Sequence, residues 1–245
     1  MESKIAFITG ANRGLGFETA RELGEKGVKV ILGSREKAKG EAAAKQLVSK
    51  GITAEALQFD VDNLADHKKA YEYFDKNYGK LDILVNNAGV MLDDQSDGKN
   101  HTSTTESSVL HKTFETNFFN VILLTQTLLP LIRKSAAGRI VNLSSLLGSL
   151  TEHANPQSFI YDFKVFAYNA SKTALNAFTI HLAHELKDTK IKVNSAHPGW
   201  VKTDMGGPNA PMEVSEGGKT SAQLALLPED GPNGGFFHQG QAIAW

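Results

Sequence analysis

The chain has 245 residues, 41% of them hydrophobic, with 26 basic and 27 acidic side chains and no cysteine. That length and apolar content suit one domain with a full core, and the near-neutral balance gives no support to a nucleic-acid or membrane-surface partner. Without cysteine there is no disulfide framework, thiol nucleophile or thiolate metal site.

The N-terminus runs into an apolar strand without a signal-peptide pattern, and apolar runs such as Val121 to Ile132 are too short and interrupted to span a bilayer. A soluble, cytoplasmic protein is expected. Lys4 to Thr9 reads as a strand buried on both faces. It leads into Gly10-Ala11-Asn12-Arg13-Gly14-Leu15-Gly16, and a helix follows to about Lys26. Strand, glycine-rich turn and helix together bring backbone and a helix N-terminus to a pyrophosphate. The second strand, Val28 to Gly33, ends in Ser34-Arg35 rather than in an acid. An acid there would hold a ribose 2′-hydroxyl, whereas arginine accommodates a 2′-phosphate; Arg13 adds a second positive charge.

A helix over Glu36 to Lys50 precedes a third strand, Thr53 to Phe59, which closes on Asp60-Val61-Asp62. The next helix, Leu64 to Tyr78, is capped by Asp62 or Asn63 in preference to Asp60. Leu81 to Val85 is a fourth strand running into Asn86-Asn87-Ala88-Gly89. Met91 to Ser108 reads as a long polar loop over the strand ends. A helix over Val109 to Lys134 follows, with Pro130 expected to kink it or end its regular part. The fifth strand, Gly138 to Ser145, ends in two serines.

Tyr168-Asn169-Ala170-Ser171-Lys172 opens a helix reaching about Lys187. Residues i and i+4 lie on one helical face, so phenol and amine can enter one site. A phenol with a pKa of about 10 is a poor acid–base group at neutral pH, and a neighbouring ammonium lowers it. Tyr161 is a rival phenol, but Val165 stands where its lysine would be. His181 and His184 are assigned to the helix surface, and no His/Asp/Glu set has metal-site spacing. Ile191 to Ala196 is a sixth strand, followed by His197-Pro198-Gly199-Trp200-Val201-Lys202-Thr203-Asp204-Met205. Gly206 to Gly218 is read as a lid over the substrate. A helix over Val214 to Leu227 and a last strand near Gly235 to His238 complete the chain.

The G-x-x-x-G-x-G spacing, the N-N-A-G segment, Asn117, Ser145, Tyr168, Lys172 and the P-G segment occur in the order that marks the classical short-chain dehydrogenase/reductase family, and the chain resembles its carbonyl reductase group. The resemblance implies a single α/β domain over 1–245: a Rossmann fold with a doubly wound parallel sheet of about seven strands and helices on both faces. It implies NADP(H), held by Gly10, Asn12, Arg13, Gly14, Leu15, Gly16 and Arg35. Asp60 and Val61 would contact the adenine, and Asn87, Ala88 and Gly89 the ribose. Pro198, Gly199, Val201 and Thr203 would back the nicotinamide carboxamide. The implied catalytic set is Asn117, Ser145 (chosen over Ser144), Tyr168 and Lys172, reducing a small ketone, aldehyde or quinone. Tyr168 would be general acid and base, Ser145 would polarise the carbonyl, Lys172 would also bond the nicotinamide ribose, and Asn117 would support proton refilling. An epimerase or dehydratase acting on a nucleotide sugar, and a nonenzymatic NADPH sensor, are the alternatives. Ser145 and Tyr168 lie 23 positions apart, a longer separation than is usual in the family. The extra stretch between Leu146 and Val165 is expected beside the active site; it is shorter than the insert of the animal carbonyl reductases, and neither monomer nor oligomer follows.

Overall fold

A computed structural model describes residues 3–93 and 101–245; positions 94–100 of the expected 91–108 loop lie outside them. In chain order the elements are β1 (Ile5–Ile8), α1 (Gly14–Glu25), β2 (Lys29–Ser34), α2 (Lys37–Val48), β3 (Ala54–Gln58), α3 (Leu64–Tyr78) and β4 (Ile83–Asn86). Then come α4 (Ser107–Phe114), a π-helical turn (Glu115–Phe119), α5 (Asn120–Ile132), β5 (Arg139–Leu143), a 3₁₀ turn (Leu146–Gly148), α6 (Leu150–Ala154) and α7 (Phe166–Glu185). The chain closes with β6 (Lys192–Ala196), α8 (Val214–Gly217), α9 (Lys219–Ala225), β7 (Phe236–His238) and β8 (Gln241–Ala242).

The strands form one sheet in the order 3-2-1-4-5-6-7-8. All neighbouring pairs are parallel except β7 and β8. Alternation along β1 sends Ala6 and Ile8 to one face, where they pack with Leu23 of α1, Leu47 of α2 and Ala225 of α9. Ile5 and Phe7 face the other layer, with Phe74 of α3, Leu128 of α5 and Leu182 of α7. Both sheet faces are therefore covered, which is why the strands read as continuous apolar runs. The strand order reverses between β1 and β4, where a crevice opens outside the carboxyl ends of the strands.

The structure refines the sequence expectations at several points. β8 adds a short antiparallel hairpin, too brief to leave a periodic signal. The helix expected over Val214 to Leu227 is broken into α8 and α9 at Gly218, whose Cβ would collide with the Glu18 and Thr19 backbone of α1. The helix expected from Val109 starts at Ser107 and changes to a π turn around Asn117. Pro130 sits inside α5, two residues before its end. Asn63 caps α3 by accepting from the Ala65 N–H at 3.2 Å.

Buried polar groups tie the layers together. Asn86 donates to Asn142 Oδ1 (2.8 Å) and to Thr125 Oγ1 (3.1 Å), and Asn142 donates to Thr179 Oγ1 (2.9 Å). Thr179 in turn bonds Ser195 at 2.9 Å. These side chains sit on β4, β5, β6, α5 and α7, so their partners fix the mutual register of the strands that carry the site. Arg139, 1% exposed, donates to the carbonyls of Gly138, Lys190, Leu227 and Pro228. Its burial lowers its pKa.

Candidate active site

A cleft of about 730 Å³ runs along the carboxyl ends of the strands. Every cofactor contact expected from the sequence lines it, as do Ser145, Tyr168 and Lys172. Asn117 does not; it stands one layer behind.

At the first turn, Gly10 and Gly14 have φ of 63° and 58°, the left-handed region that favours glycine. A Cβ on Gly16 would lie 2.6 Å from Asn87 Nδ2 and 2.7 Å from the Gly10 carbonyl. Gly16 is thus demanded by the fold itself, whereas a Cβ on Gly14 would face open cleft, with only Thr203 at 4.0 Å. Asn87 closes the turn by donating to the carbonyls of Thr9 (2.7 Å) and Gly10 (3.2 Å). Thr9 Oγ1 accepts from the N–H groups of Asn87 and Ala88. No side chain caps α1, and its first turn holds no acid, which leaves a helix N-terminus suited to a pyrophosphate. Ser34 is buried and donates to the Glu36 carbonyl, while Arg35 and Arg13 stand exposed at this end of the cleft. Arg13 forms an ion pair with Asp204. Cradle, uncapped helix and paired arginines fit a 2′-phosphorylated dinucleotide.

At the other end, β5 delivers the two serines differently. Ser144 is 2% exposed and its hydroxyl is buried without a partner. Ser145 is extended (φ −152°, ψ 151°) and caps the 3₁₀ turn by accepting from the Leu147 N–H at 3.2 Å. With its oxygen engaged as acceptor, the Ser145 hydroxyl keeps its proton to give. Tyr168 is the third residue of α7, and Lys172 stands one turn later with Nζ 5.6 Å from the Tyr168 ring centroid. Lys172 donates to the Leu143 carbonyl at 2.8 Å. Burial pushes the Tyr168 phenol up to about 12, against a hydrogen bond with Ser145 that lowers it. Burial also brings the Lys172 ammonium down to about 8. The lysine-driven fall in the tyrosine pKa expected from the sequence is therefore opposed by desolvation in the protein by itself.

Asn117 lies in the π turn, fully buried. Its Oδ1 accepts from the Val90 N–H and its Nδ2 donates to the Val90 carbonyl, both at 2.8 Å, and to Ser171 Oγ at 3.0 Å. A Cβ on Gly89 would meet Asn117 Oδ1 at 3.1 Å and Lys172 Nζ at 3.5 Å. A side chain there would press on both groups. The turn at Pro198-Gly199 has φ of 91° at the glycine, and Thr203 Oγ1 accepts from the Gly206 N–H at 3.0 Å.

The pre-tyrosine stretch forms one wall: Leu146, Leu147, Phe159, Ile160 and Phe163 line the cleft, and Tyr161 does not. Met91, Trp200 and Met205 face it as well, whereas of the expected lid only Gly206 and Val214 reach it. His181 and His184 are exposed.

His197 was missed by sequence reasoning, although a histidine directly before a Pro-Gly turn at a strand end was the available signal. Its Nδ1 accepts from the Leu146 N–H at 3.1 Å, and its ring centroid is 5.0 Å from that of His238. Burial, and secondarily His238, lower its pKa to about 3. It is a neutral acceptor bracing the serine loop. Among the described residues no group of His, Asp and Glu could hold a metal ion, and no helix is long and apolar enough to cross a membrane.

A nucleotide cradle at the switch point, with Ser145, Tyr168 and Lys172 at its far end, defines a dinucleotide-dependent dehydrogenase. The chain belongs to the short chain dehydrogenase family, whose sequence profile matches residues 4–213. It is 33% identical to the NADPH carbonyl reductase 1 of Bos taurus over 98% of both chains. It is 32% identical to the (−)-isopiperitenone reductase of Mentha piperita, again over 98% of each. Among solved structures, the Drosophila melanogaster carbonyl reductase Sniffer superposes with a TM-score of 0.82 at 30% identity, over the whole of both chains.

Proposed function

We propose that the protein reduces a small ketone, aldehyde or quinone with NADPH, Tyr168 acting as general acid. That it is an NADP-dependent oxidoreductase working on C=O and CH–OH groups follows from its full-length likeness to the carbonyl reductases. The observation that carries the finer reading is the grouping of Ser145, a buried Tyr168 and a buried Lys172, its Nζ 5.6 Å from the tyrosine ring, in one cleft.

Bound NADPH supplies the hydride. Arg13 and Arg35 hold the 2′-phosphate, and the α1 N-terminus holds the pyrophosphate. Ser145 donates its hydroxyl proton as a hydrogen bond to the carbonyl oxygen, stabilising the charge that develops there. Tyr168 transfers its phenolic proton to that oxygen. Lys172, anchored on the Leu143 carbonyl, has donors left for a ribose hydroxyl and stabilises the phenolate electrostatically. Asn117, next to Lys172 across Gly89, orients the route by which the proton is replaced. Met91, Phe159, Phe163 and Trp200 give the substrate end an apolar, aromatic character. A cytoplasmic setting, which the cysteine-free composition suits, belongs to the same proposal.

The test is consumption of NADPH and NADH, in parallel, with a panel of ketones, aldehydes and quinones, using wild type and Tyr168→Phe. Turnover with NADPH that vanishes in the variant while NADPH binding persists is the expected result. A fully active Tyr168→Phe would sink the mechanism, and an NADH preference would remove the assigned role of the two arginines.

A further inference from the structure

The helix that carries the chemistry does not cap itself. The first N–H groups of a helix lack partners within it, and Val165, at the cap position of α7, has no side-chain oxygen to offer. The Asn169 N–H is bonded back to Val165 at 2.9 Å. The two donors before it are met from far upstream in the chain. Asp93 Oδ1 accepts from the Ala167 N–H at 2.8 Å, and Asp93 Oδ2 accepts from the Tyr168 N–H at 3.0 Å. Asp93 is 8% exposed, and a carboxylate on a helix N-terminus makes charge-assisted bonds that the helix dipole favours.

A serine or threonine at position 165 would satisfy the same donors locally. A carboxylate from position 93 does something a local cap cannot: it fastens the segment after the N-N-A-G turn to the backbone of Tyr168 itself. Met91, two residues before Asp93, lines the substrate end of the cleft, as Tyr168 does. The backbone of Val90, directly before Met91, is held by Asn117. One short segment thus bonds the π turn at Val90, faces the substrate at Met91 and grips the tyrosine backbone at Asp93.

We propose that Asp93 is a positioning residue for proton transfer, setting the depth of Tyr168 in the cleft and coupling it to the substrate wall at Met91. This rests on the reading of Tyr168 as proton donor. Misplacing a reacting group by about 1 Å costs up to about a hundredfold in rate. Asp93→Ala is expected to lower kcat about tenfold or more with NADPH affinity unchanged, and to raise the solvent deuterium isotope effect on kcat. Asp93→Asn keeps the shape and one acceptor and is expected about threefold down.

Asn233→Ala is the control for stability. Asn233 accepts from the Val193 N–H of β6 and donates to the Ala183 carbonyl, so its loss removes one hydrogen bond at the far end of the same helix and one to the neighbouring strand. It is expected to lower Tm comparably and leave kcat at the wild-type value.

The experiment measures kcat, KM and Tm for these variants and Tyr168→Phe, with whichever carbonyl of the panel wild type reduces. Wild-type kcat in Asp93→Ala, or an equal fall in kcat in Asn233→Ala, overturns the inference while Tyr168→Phe stays inactive. Full activity in Tyr168→Phe, or no turnover of any panel compound by wild type, instead removes the reading beneath it. If Asp93→Ala does not fold, Asp93→Asn decides: unchanged kcat and isotope effect overturn the role.

Discussion

Arg13 and Asp204 form an ion pair across the mouth of the cleft, joining residues 191 positions apart. Their side chains are 73% and 77% exposed, and such surface pairs contribute about 0–1 kcal/mol. A phosphate dianion is the stronger partner for a guanidinium, so a 2′-phosphate is expected to displace Asp204 at small cost. Arg13→Glu is expected to raise the Kd for NADPH about tenfold or more and to leave that for NADH nearly unchanged, whereas Asp204→Asn tightens NADPH about twofold. Titration by fluorescence at two salt concentrations reads both. Parallel weakening of the two cofactors would assign Arg13 to the pyrophosphate instead.

Lys172 is kept at the expense of stability. Its pKa falls from 10.5 to about 8 because its charged form is desolvated. Below pH 8 both folded and unfolded states carry the charge, and the folded state bears the whole penalty. The penalty is released as pH rises from about 8 to 10.5 and is gone above that. Lys172→Met is therefore expected to be inactive yet more stable at pH 7 by about 2 kcal/mol, after allowing for the lost bond to Leu143. Denaturant melts at pH 7 and pH 10 check the sign: the advantage must shrink at the higher pH.

Gly16→Ala tests the nucleotide turn. Its new methyl would press on the Asn87 amide and the Gly10 carbonyl, both of which hold the loop closed. Such overpacking costs about 1–3 kcal/mol. A lower Tm together with weaker NADPH binding is expected; a variant with normal Tm and normal affinity would show that the loop can shift freely.

Phe159 lines the cleft although it is 81% exposed. Surface substitutions usually change stability within about 0.5 kcal/mol, so Phe159→Ala should melt like wild type. It should raise KM for aromatic carbonyls severalfold and leave NADPH affinity alone. An unchanged KM across aromatic and aliphatic substrates would detach this wall from specificity.

The parts legible in the sequence are those where one residue type answers a local demand. Gly10 and Gly14 mark left-handed backbone, the apolar runs mark strands covered on both faces, and Tyr168 and Lys172 share a face through helical spacing. The parts that were not legible depend on residues distant in the chain. Asp93 looked like one acid in a polar loop, and only the fold brings it to Tyr168. His197 is defined by a bond to Leu146, and the split between α8 and α9 by the backbone of α1. The tyrosine pKa belongs with these, since desolvation is set by every element that covers the group.

The π turn at Glu115–Phe119 carries a consequence for the helical rod from Ser107 to Ile132. Each residue of an α-helix advances about 100° around the axis, and the wide turn takes up one residue more than a regular turn. Everything after it is rotated relative to everything before. Asn117 within it bonds Val90 and Ser171, while Leu124, Leu128 and Leu131 after it pack into the core under the sheet. Removing any single residue within the turn would act as a frameshift in three dimensions. The same amino acids would follow in the same order, but the stripe that meets the sheet and the face that meets Val90 and Ser171 could no longer both keep their partners.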